Sequence, residues 1–345
     1  MSFNRKTLLG LASAGLGLTA TIASADGELQ LYNWTDYTSP ELIEKFEEET
    51  GISVTLDTYD SGETLLAKLQ SGAAGYDIAI PTHNFVPILI SEGLIQPINA
   101  SELDGYDRIV PNLASPWWDE GNVYSIPWHW GTTSFTVDTA VYSGNVDDYD
   151  VIFNPPEELA GQVAMFKSPD EVITMAQVAL GLPFCSEDPK EMQQVLDLLM
   201  GQKPDVKTYN SDGILERLVS GDVSVHQNWN GYSLLARKEK PSLQYAFPEE
   251  GVVAWADSLV VPKGAPNYDN AITFIEFMLE PENIAIQSNS SGYANGITGS
   301  EAFMDEGLKD AAELSPPEGT SLKFIESCSP KAVELQNRVW TALLK

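Results

Sequence analysis

The sequence predicts an α/β fold in which helices cover parallel sheets. Segments with the alternating apolar pattern of strands are followed repeatedly by segments with the 3.6-residue apolar period of helices, which is the order of β-α-β units. The chain has 345 residues, 43% apolar and 10% aromatic, so it can bury one large or two medium cores. Neither a short repeat nor a linker rich in Ser, Gly or Pro divides it. We therefore expect two domains joined by several crossings of the chain.

Residues 1–25 have the composition of a secretory signal peptide. Two basic residues precede an apolar and small stretch at positions 8–22, and Ala23 and Ala25 stand before Asp26. The apolar stretch is short for a membrane-spanning helix. We expect cleavage after the second alanine and a soluble mature protein in the periplasm.

The elements that follow form a β-α-β-α-β series. Ser39 and Ser61 have the side chains of helix N-caps, and Gly51 is typical of a helix end. This order predicts a parallel sheet covered by helices. The predicted strands are residues 28–34, 52–56 and 76–81, and the predicted helices are residues 39–51 and 62–70.

The later elements repeat the alternation and predict a second α/β unit. The predicted strands are residues 123–126, 133–137, 223–227 and 258–261. The predicted helices are residues 171–180, 190–200, 213–220, 270–279, 281–288 and 331–344.

Charge and cysteine content limit the possible partners. Acidic residues number 50 and basic residues 19, giving a net charge of −31 that repels nucleic acids and anionic lipids, so we expect no nucleic-acid partner. The negative charge is equally explained by the solubility of a secreted protein, whatever ligand it binds. Cys185 and Cys328 can pair in an oxidising compartment if their Cα atoms lie within about 7 Å, or remain two buried thiols. With His83, His129 and His226 scattered, we expect no metal site.

The loops after the strands carry the candidate ligand contacts, because ligands of open parallel sheets bind beyond the carboxyl ends of the strands. Several of these loops place an aromatic residue beside an acid or amide. A linear organic cation needs aromatic walls for its methylene chain and carboxylates for its ammonium groups. In extended backbone, Trp255 and Asp257 point to the same side, and Trp34 and Asp36 have the same spacing. Each motif alone is also typical of core packing or a helix cap.

The common enzyme motifs are absent from the sequence, so we expect no catalytic residues. A carboxylate pair would leave no such motif, and a secreted hydrolase of that type stays an alternative. A loop histidine such as His83 is usually solvent-facing or a hydrogen-bonding spacer. Four tryptophans are expected in core or inter-domain packing. They are Trp117, Trp118, Trp128 and Trp130.

Six motifs follow one another along nearly the whole of residues 28–345. They are LYNWTDY (31–37), YDIAIPT (76–82), IPWHWG (126–131), WNG (229–231), WAD (255–257) and GY (292–293). This ordered set resembles the periplasmic spermidine/putrescine-binding proteins of bacterial ABC importers. The resemblance implies a two-lobed, type II-like α/β receptor that closes on a ligand in the cleft between its lobes. It divides the chain into residues 27–134 with 257–298 and residues 135–256 with 299–345, with hinge crossings near Thr133 and Asp257.

The resemblance also implies eleven ligand-binding residues, ten of them with a definite role and the eleventh being Asn84. Five aromatic residues would surround the methylene chain: Trp34, Tyr37, Trp229, Trp255 and Tyr293. Asp36, Glu171 and Asp257 would hold the ammonium groups, and Thr35 and Thr82 would contact an end amine. Asn84 stands where the family commonly has a tyrosine, and Ser168, beside Lys167, stands where it commonly has an acid.

The change at Ser168 bears on the ligand. Losing a carboxylate weakens selection for the third nitrogen of spermidine, so the resemblance favours putrescine. If Lys167 faced the cleft, 4-aminobutyrate or a related amine or amino acid would become reasonable, and Asp170 could replace the missing acid if its loop shifts. We expect a monomer without a cofactor, which delivers its ligand to an inner-membrane ABC permease.

Overall fold

A computed structural model describes residues 27–72 and 75–345. The predicted signal peptide at residues 1–25 lies outside the described residues. None of the helices within those two ranges has the length and apolar content that a membrane span requires.

The elements up to the middle of the chain alternate as the sequence predicted. In order they are β1 (Gly27–Trp34), α1 (Pro40–Thr50), β2 (Ile52–Tyr59), α2 (Gly62–Gln70), β3 (Ile78–Ala79), α3 (Val86–Ser91), β4 (Ile95–Gln96), β5 (Ser125–Asp138), α4 (Asp150–Phe153), β6 (Val163–Met165), α5 (Pro169–Ala179) and α6 (Pro189–Gln202).

The remaining elements complete both lobes. In order they are β7 (Val206–Tyr209), α7 (Ile214–Ser220), β8 (Val225–Trp229), α8 (Asn230–Glu239), β9 (Leu243–Tyr245), β10 (Val252–Pro262), α9 (Tyr268–Met278), α10 (Pro281–Ser291), β11 (Ala294–Asn295), α11 (Glu306–Lys309), β12 (Leu322–Phe324) and α12 (Pro330–Leu343).

The predicted β-α-β-α-β series is confirmed. β1 pairs in parallel with β2 on one side and β3 on the other. The Ser39 hydroxyl accepts a hydrogen bond from the N–H of the third residue of α1, and Ser61 caps α2 in the same way. Gly51 ends α1 with a φ of 72°, a left-handed conformation that glycine adopts without strain. A second parallel unit is also present, because β6 pairs with both β7 and β8.

The expectation that the sheets are wholly parallel is wrong at their centre. The sheet runs in the order β2-β1-β3-β10-β5-β8-β6-β7, and β10 and β5 are antiparallel to their neighbours. The two strands predicted at residues 123–126 and 133–137 are one strand, β5, and the strand predicted at 258–261 is the end of β10. Both strands are buried along nearly their whole length, so they lack the alternation that marks a half-exposed strand.

The two central strands connect two hydrophobic cores. The first core surrounds β1 to β3 and the second surrounds β6 to β8. β5 contributes Trp128 to the first core and Phe135 to the second. β10 likewise contributes Trp255 to the first core and Val253 to the second. The chain therefore passes between the cores in the middle of both strands, and the lobe boundaries given above stay a prediction.

The structure decides the predictions for the two cysteines and for His83. Cys185 and Cys328 form a disulfide with an S–S distance of 2.11 Å, so the alternative of separate thiols is wrong. His83 is fully buried; its Nε2 donates to the Ile325 carbonyl and its Nδ1 accepts the N–H of Ala256, so it is a spacer and not solvent-facing.

The predicted burial of the tryptophans holds for three of the four. Trp118 and Trp128 are buried, and Trp130 packs against the first core. Trp117 is 56% exposed, so packing in the core was the wrong prediction for it. The Trp117 ring meets Trp118 edge-on, and this contact covers only part of the ring.

Candidate functional site

A cavity of about 320 Å³ lies between the two cores, within the size range typical of small-molecule sites. All eleven residues predicted from the resemblance line it. They are Trp34, Thr35, Asp36, Tyr37, Thr82, Asn84, Glu171, Trp229, Trp255, Asp257 and Tyr293. The structure therefore brings together residues that are far apart in the sequence, from the carboxyl ends of β1 and β8, the middle of β10, the first turn of α5 and the loops beside them.

The carboxyl ends of β1 and β2 form one wall of the cavity. Trp34 ends β1, and its indole N–H donates to the carbonyl of Ile80 over 3.0 Å. Tyr59 ends β2, and its hydroxyl donates to the same carbonyl over 2.6 Å. The two rings lie 4.6 Å apart. A single carbonyl thus fixes both aromatic side chains before any ligand is bound.

The middle of β10 forms the floor of the cavity. As predicted for an extended backbone, Trp255 and Asp257 both face the cavity. The Trp255 ring meets Tyr293 edge-on at 5.2 Å, and Tyr293 meets Tyr37 edge-on at 5.5 Å. Edge-to-face contacts of this kind are the favoured geometry of aromatic pairs. The three rings hold one another in place as one side of an aromatic box.

The opposite wall comes from the second core. Trp229 ends β8 and stacks on Phe166 at 4.3 Å, and its indole N–H donates to Glu171 Oε1 over 2.7 Å. Glu171 lies in the first turn of α5, where the free backbone N–H groups of the helix favour a carboxylate. The cavity therefore has an aromatic ring and an acid on this side as well.

The buried acids of the cavity have shifted pKa values. Asp257 is 4% exposed, and burial raises its pKa to about 7, although a 2.7 Å hydrogen bond from the Thr82 hydroxyl opposes the shift. Burial raises the pKa of Glu171 well above its usual range, and the charge of Asp170 adds to the effect. Among the described residues, no basic side chain forms an ion pair with any of these three acids. The cavity thus holds three acids, none of which is paired with a base among the described residues.

Three predicted residues lie at less central positions. Thr35 and Asp36 are exposed at the rim of the cavity, and the Thr35 hydroxyl donates to the carbonyl of Tyr59 over 3.2 Å. Asn84 is buried, and its side-chain oxygen has no hydrogen-bond partner in the described part of the chain. That oxygen is an acceptor available to a donor inside the cavity.

The chemistry of this cavity suits a cation with an apolar body. Residues 41–316 match the model of the bacterial extracellular solute-binding protein family. The chain belongs to this family. The two-lobed α/β fold predicted from the motifs is thereby confirmed. The family name describes capture of solutes outside the cytoplasm, which agrees with a binding cleft rather than a catalytic centre.

Relatives of this solute-binding protein are similar over most of the chain. It is 34% identical over 288 residues to the spermidine/putrescine-binding periplasmic protein of Escherichia coli (strain K12), which covers 83% of this chain and 82% of the relative. It is 31% identical over 349 residues to the putrescine/agmatine-binding protein of Pseudomonas aeruginosa PAO1, which covers 94% and 95%. The predicted resemblance is confirmed.

A solved structure agrees with the sequence relatives. The spermidine/putrescine ABC transporter substrate-binding protein PotD from Streptococcus pneumoniae superimposes with a TM-score of 0.79 and 28% identity. The superposition covers 92% of this solute-binding protein and 98% of the other chain.

The position of Lys167 decides one open question. Ser168 lines the cavity, whereas Lys167 does not. The Lys167 side chain is 68% exposed, and its Nζ lies 3.6 Å from Asp60 Oδ2. The positive charge that would have favoured an amino-acid ligand therefore lies beside Asp60 at the mouth of the cavity and not within its lining.

Several lining residues were missed by the sequence analysis. Tyr59 ends β2, Asp60 follows it, and Asp212 follows β7, so the rule used for the other strand ends would have found them. Tyr232 lies in the first turn of α8, directly after the motif WNG (229–231), but no role was assigned to it. Ile325 reaches the cavity only through tertiary packing of the C-terminal segment, and no local pattern marks it.

Metal binding was also considered. Within residues 27–72 and 75–345, no group of three or more His, Cys, Asp or Glu side chains is arranged to hold a metal ion.

Proposed function

We propose that this solute-binding protein captures a linear polyamine in the periplasm, with putrescine preferred over spermidine. It then delivers the ligand to an inner-membrane ABC permease. The observation that carries the proposal is a cavity with acids on two of its sides and aromatic rings beside both. Asp257 lies on the floor and Glu171 on the wall from the second core, and neither is paired with a base among the described residues.

The binding free energies of the individual contacts are sufficient for tight binding. Each aromatic face contributes about 0.5–2 kcal/mol to binding a cation, and each charge-assisted hydrogen bond contributes about 1.5–3 kcal/mol. Two ammonium groups with two to four such contacts each reach micromolar affinity or better after the cost of association. The names of the relatives, which include putrescine and spermidine, support the same ligand class.

The charge distribution favours an amine over an amino acid. A carboxylate such as that of 4-aminobutyrate would lie among Glu171, Asp170 and Asp257, where it would be repelled. Lys167 could have offset this repulsion, but it does not line the cavity and pairs with Asp60 at the cavity mouth. Ser168 cannot carry charge, which leaves fewer carboxylates for a third ligand nitrogen and supports the preference for a diamine.

Ligand contacts from both walls couple binding to closure of the cleft. A ligand held by residues of both lobes binds the closed form more tightly than the open form, and so shifts the population toward closure. The permease would then recognise the closed surface. We propose that the protein acts as a monomer and without a cofactor, since the cavity is built from one chain and its chemistry requires only its own side chains.

Isothermal titration calorimetry of the mature protein tests this proposal. The ligands are putrescine, spermidine, spermine and 4-aminobutyrate, each titrated at pH 7.5 and low salt. We expect 1:1 binding of putrescine with a micromolar or lower Kd, weaker binding of spermidine, and no heat with 4-aminobutyrate. Absence of heat with every amine would overturn the proposal, and so would the release of a reaction product from any of them, since a hydrolase would then be the better description.

A further inference from the structure

We propose that Asp170 and Glu171 together hold one terminal ammonium group of the ligand, and that Asp257 with Thr82 holds the other. Asp170 is then a specificity-determining residue for the proposed function, on which this inference rests. Asp170 supplies the negative charge that Ser168 lacks, from a position two residues further along the chain in the first turn of α5.

The two neighbouring carboxylates differ in their hydrogen bonds. Glu171 Oε1 already accepts the indole N–H of Trp229 over 2.7 Å. Asp170 Oδ1 is buried and has no hydrogen-bond partner among the residues that the structure describes. Both side chains line the cavity. The Glu171 carboxylate is thus oriented by a hydrogen bond within the protein. The Asp170 Oδ1 atom is free to accept a hydrogen bond from a ligand in the cavity.

Other buried groups of the same cavity also lack partners. The Asn84 side-chain oxygen, the Tyr37 hydroxyl and the Trp255 indole N–H are each more than nine-tenths buried, and none has a hydrogen-bond partner within residues 27–72 and 75–345. All three residues line the cavity. Unsatisfied buried polar atoms are rare in proteins and call for a ligand or ordered water. An ammonium group carries three donors and can satisfy acceptors such as the Asn84 oxygen, whereas the Trp255 indole N–H is itself a donor that an ammonium group cannot satisfy.

The charges around Asp170 are almost all negative. Glu171 follows it on the same helix, and Glu63 on α2 and Asp257 on β10 act on Glu171 from the facing elements. The nearest base in the sequence, Lys167, pairs with Asp60 instead. Burial raises the pKa of Asp170, and only the Ser168 hydroxyl and the backbone N–H groups of the first turn of α5 oppose this shift. A cation at this position would relieve the repulsion between the two neighbouring acids.

The arrangement also explains a preference for diamines. Asp170 and Glu171 are adjacent and act on each other electrostatically, so their charges serve one end of the ligand. Asp257 lies on a different element, on the cavity floor formed by β10. A ligand with one ammonium group at each end satisfies both groups of acids, and a nitrogen in the middle of the chain gains no carboxylate of its own.

The substitution Asp170→Asn tests the inference, and Asp269→Asn is its matched control. Asp269 is also the second residue of an eleven-residue helix, α9, but it is exposed and lies outside the cavity. We expect Asp170→Asn to weaken binding of putrescine and of spermidine by tenfold or more, and by similar factors. We expect the melting temperature of the empty protein to rise, because a repelled buried charge is removed. Asp269→Asn should leave both affinities within twofold.

The outcomes separate this inference from the proposed function. If the unmodified protein binds no polyamine, the proposed function fails. If the unmodified protein binds and Asp170→Asn binds equally well, only the inference fails. A loss confined to spermidine would contradict the pairing of Asp170 with a terminal nitrogen, and a lower melting temperature of the empty variant would make Asp170 a structural residue. Asp170→Ser carries the same test if the asparagine variant does not fold.

Discussion

The unpaired acids are the residues that most strongly determine how this cleft behaves. Burying a charge without a partner costs free energy, and a protein reduces that cost by keeping the group protonated. The pKa of about 7 for Asp257 reflects this cost. A dication that enters the cleft replaces the proton with a bound charge. The same residues that destabilise the empty cleft therefore supply the affinity for the ligand.

The titration of Asp257 predicts a pH dependence of binding. Its pKa in the folded protein is about 7, above the usual 3.8, so the carboxylate is mainly protonated below pH 7 in the empty cleft. Because the dication needs the ionised form, we expect the Kd for putrescine to tighten at least tenfold between pH 5.5 and pH 8, with protons released on binding. This group stabilises the empty fold at low pH, and that contribution is lost as pH rises from about 4 to 7.

Calorimetry in two buffers of different ionisation enthalpy measures both effects. In Asp257→Asn we expect binding at pH 8 to be at least tenfold weaker, about 1.4 kcal/mol, and the pH dependence to be smaller. The remaining dependence comes from Asp170 and Glu171, whose pKa values are also raised by burial. A variant with unchanged affinity and unchanged pH dependence would remove Asp257 from the site.

The aromatic box is tested by one tryptophan inside it and one outside it. Trp255 is 6% exposed and lines the cavity, whereas Trp117 is 56% exposed and does not line it. We expect Trp255→Leu to weaken putrescine binding about tenfold, because the leucine fills much of the space but has no aromatic face for the cation. Trp117→Leu should bind like the unmodified protein. Equal affinities of the two variants, measured by calorimetry, would contradict the role of the indole.

At the scale of elements, the accuracy of the sequence analysis depended on whether a signal was local. The caps at Ser39 and Ser61 and the glycine at Gly51 lie next to the elements that they delimit, so α1 and α2 were predicted closely. The strands β5 and β10 are buried along nearly their whole length and have no alternation to read. Their antiparallel pairing depends on residues more than a hundred positions apart, which no local pattern contains.

The contact between β5 and β10 can be tested at a glycine. A Cβ atom on Gly131 of β5 would lie 2.5 Å from Asn230 Oδ1 and 2.6 Å from the Trp255 ring. We expect Gly131→Ala to lower the melting temperature and to weaken putrescine binding several-fold, because the indole must move. In Gly201→Ala, on the exposed side of α6, the added Cβ meets no atom within 4 Å.

The control substitution should act in the opposite direction. Gly201→Ala is expected to stabilise the protein by about 0.5–1 kcal/mol through helix propensity and to leave the Kd unchanged. Denaturant unfolding and calorimetry measure both variants. If Gly131→Ala behaved like Gly201→Ala, the close approach of the two central strands would be contradicted.

The disulfide connects the second core to the C-terminal segment that reaches the cavity. In this segment Ile325 lines the cavity, and its carbonyl accepts a hydrogen bond from His83. Ser327, just before Cys328, donates its hydroxyl to the carbonyl of Asn84. Cys185 anchors this segment from 143 positions away. We expect Cys185→Ser with Cys328→Ser to lose about 2–5 kcal/mol of unfolding free energy and to bind putrescine less tightly.

Denaturant unfolding and calorimetry measure the effect of the missing disulfide. Serine keeps the size of the side chains, so the comparison isolates the cross-link. The single variant Ser329→Ala keeps the disulfide but removes the N-cap of α12 and the 2.6 Å hydrogen bond from the Ser329 hydroxyl to Glu187 Oε1, and it should lose about 1 kcal/mol with unchanged affinity. A double serine variant as stable as the unmodified protein would show that the cross-link does not constrain this segment.

At the scale of the whole molecule, one mixed sheet runs through both cores and the ligand cavity lies where the chain passes between them. All eleven site residues predicted by resemblance line this cavity, most of them from strand ends or from the extended strand β10, with Glu171 in the first turn of α5 and Tyr293 just after α10. Residues such as Ile325 and the open acceptor of Asp170 depend on tertiary packing and on the absence of a neighbouring base. Neither can be read from sequence alone.

Closure of the whole molecule is expected to follow binding. Asp60 and Lys167, from opposite sides of the cavity mouth, lie 3.6 Å apart and are both partly exposed. An exposed pair contributes at most about 1 kcal/mol, so it cannot hold the cleft shut without ligand. Small-angle X-ray scattering should show a smaller radius of gyration after addition of putrescine. An unchanged radius at saturating putrescine would contradict ligand-driven closure.

The most direct test is a crystal structure of the mature protein grown with putrescine. We predict an extended ligand in the cavity, its methylene chain between the rings of Trp255 and Trp229. One nitrogen should lie within hydrogen-bond distance of Asp170 and Glu171 and the other within reach of Asp257. A cavity that stays empty at saturating putrescine, or that holds a sugar or a metal ion instead, would contradict the account of this cleft as a diamine site.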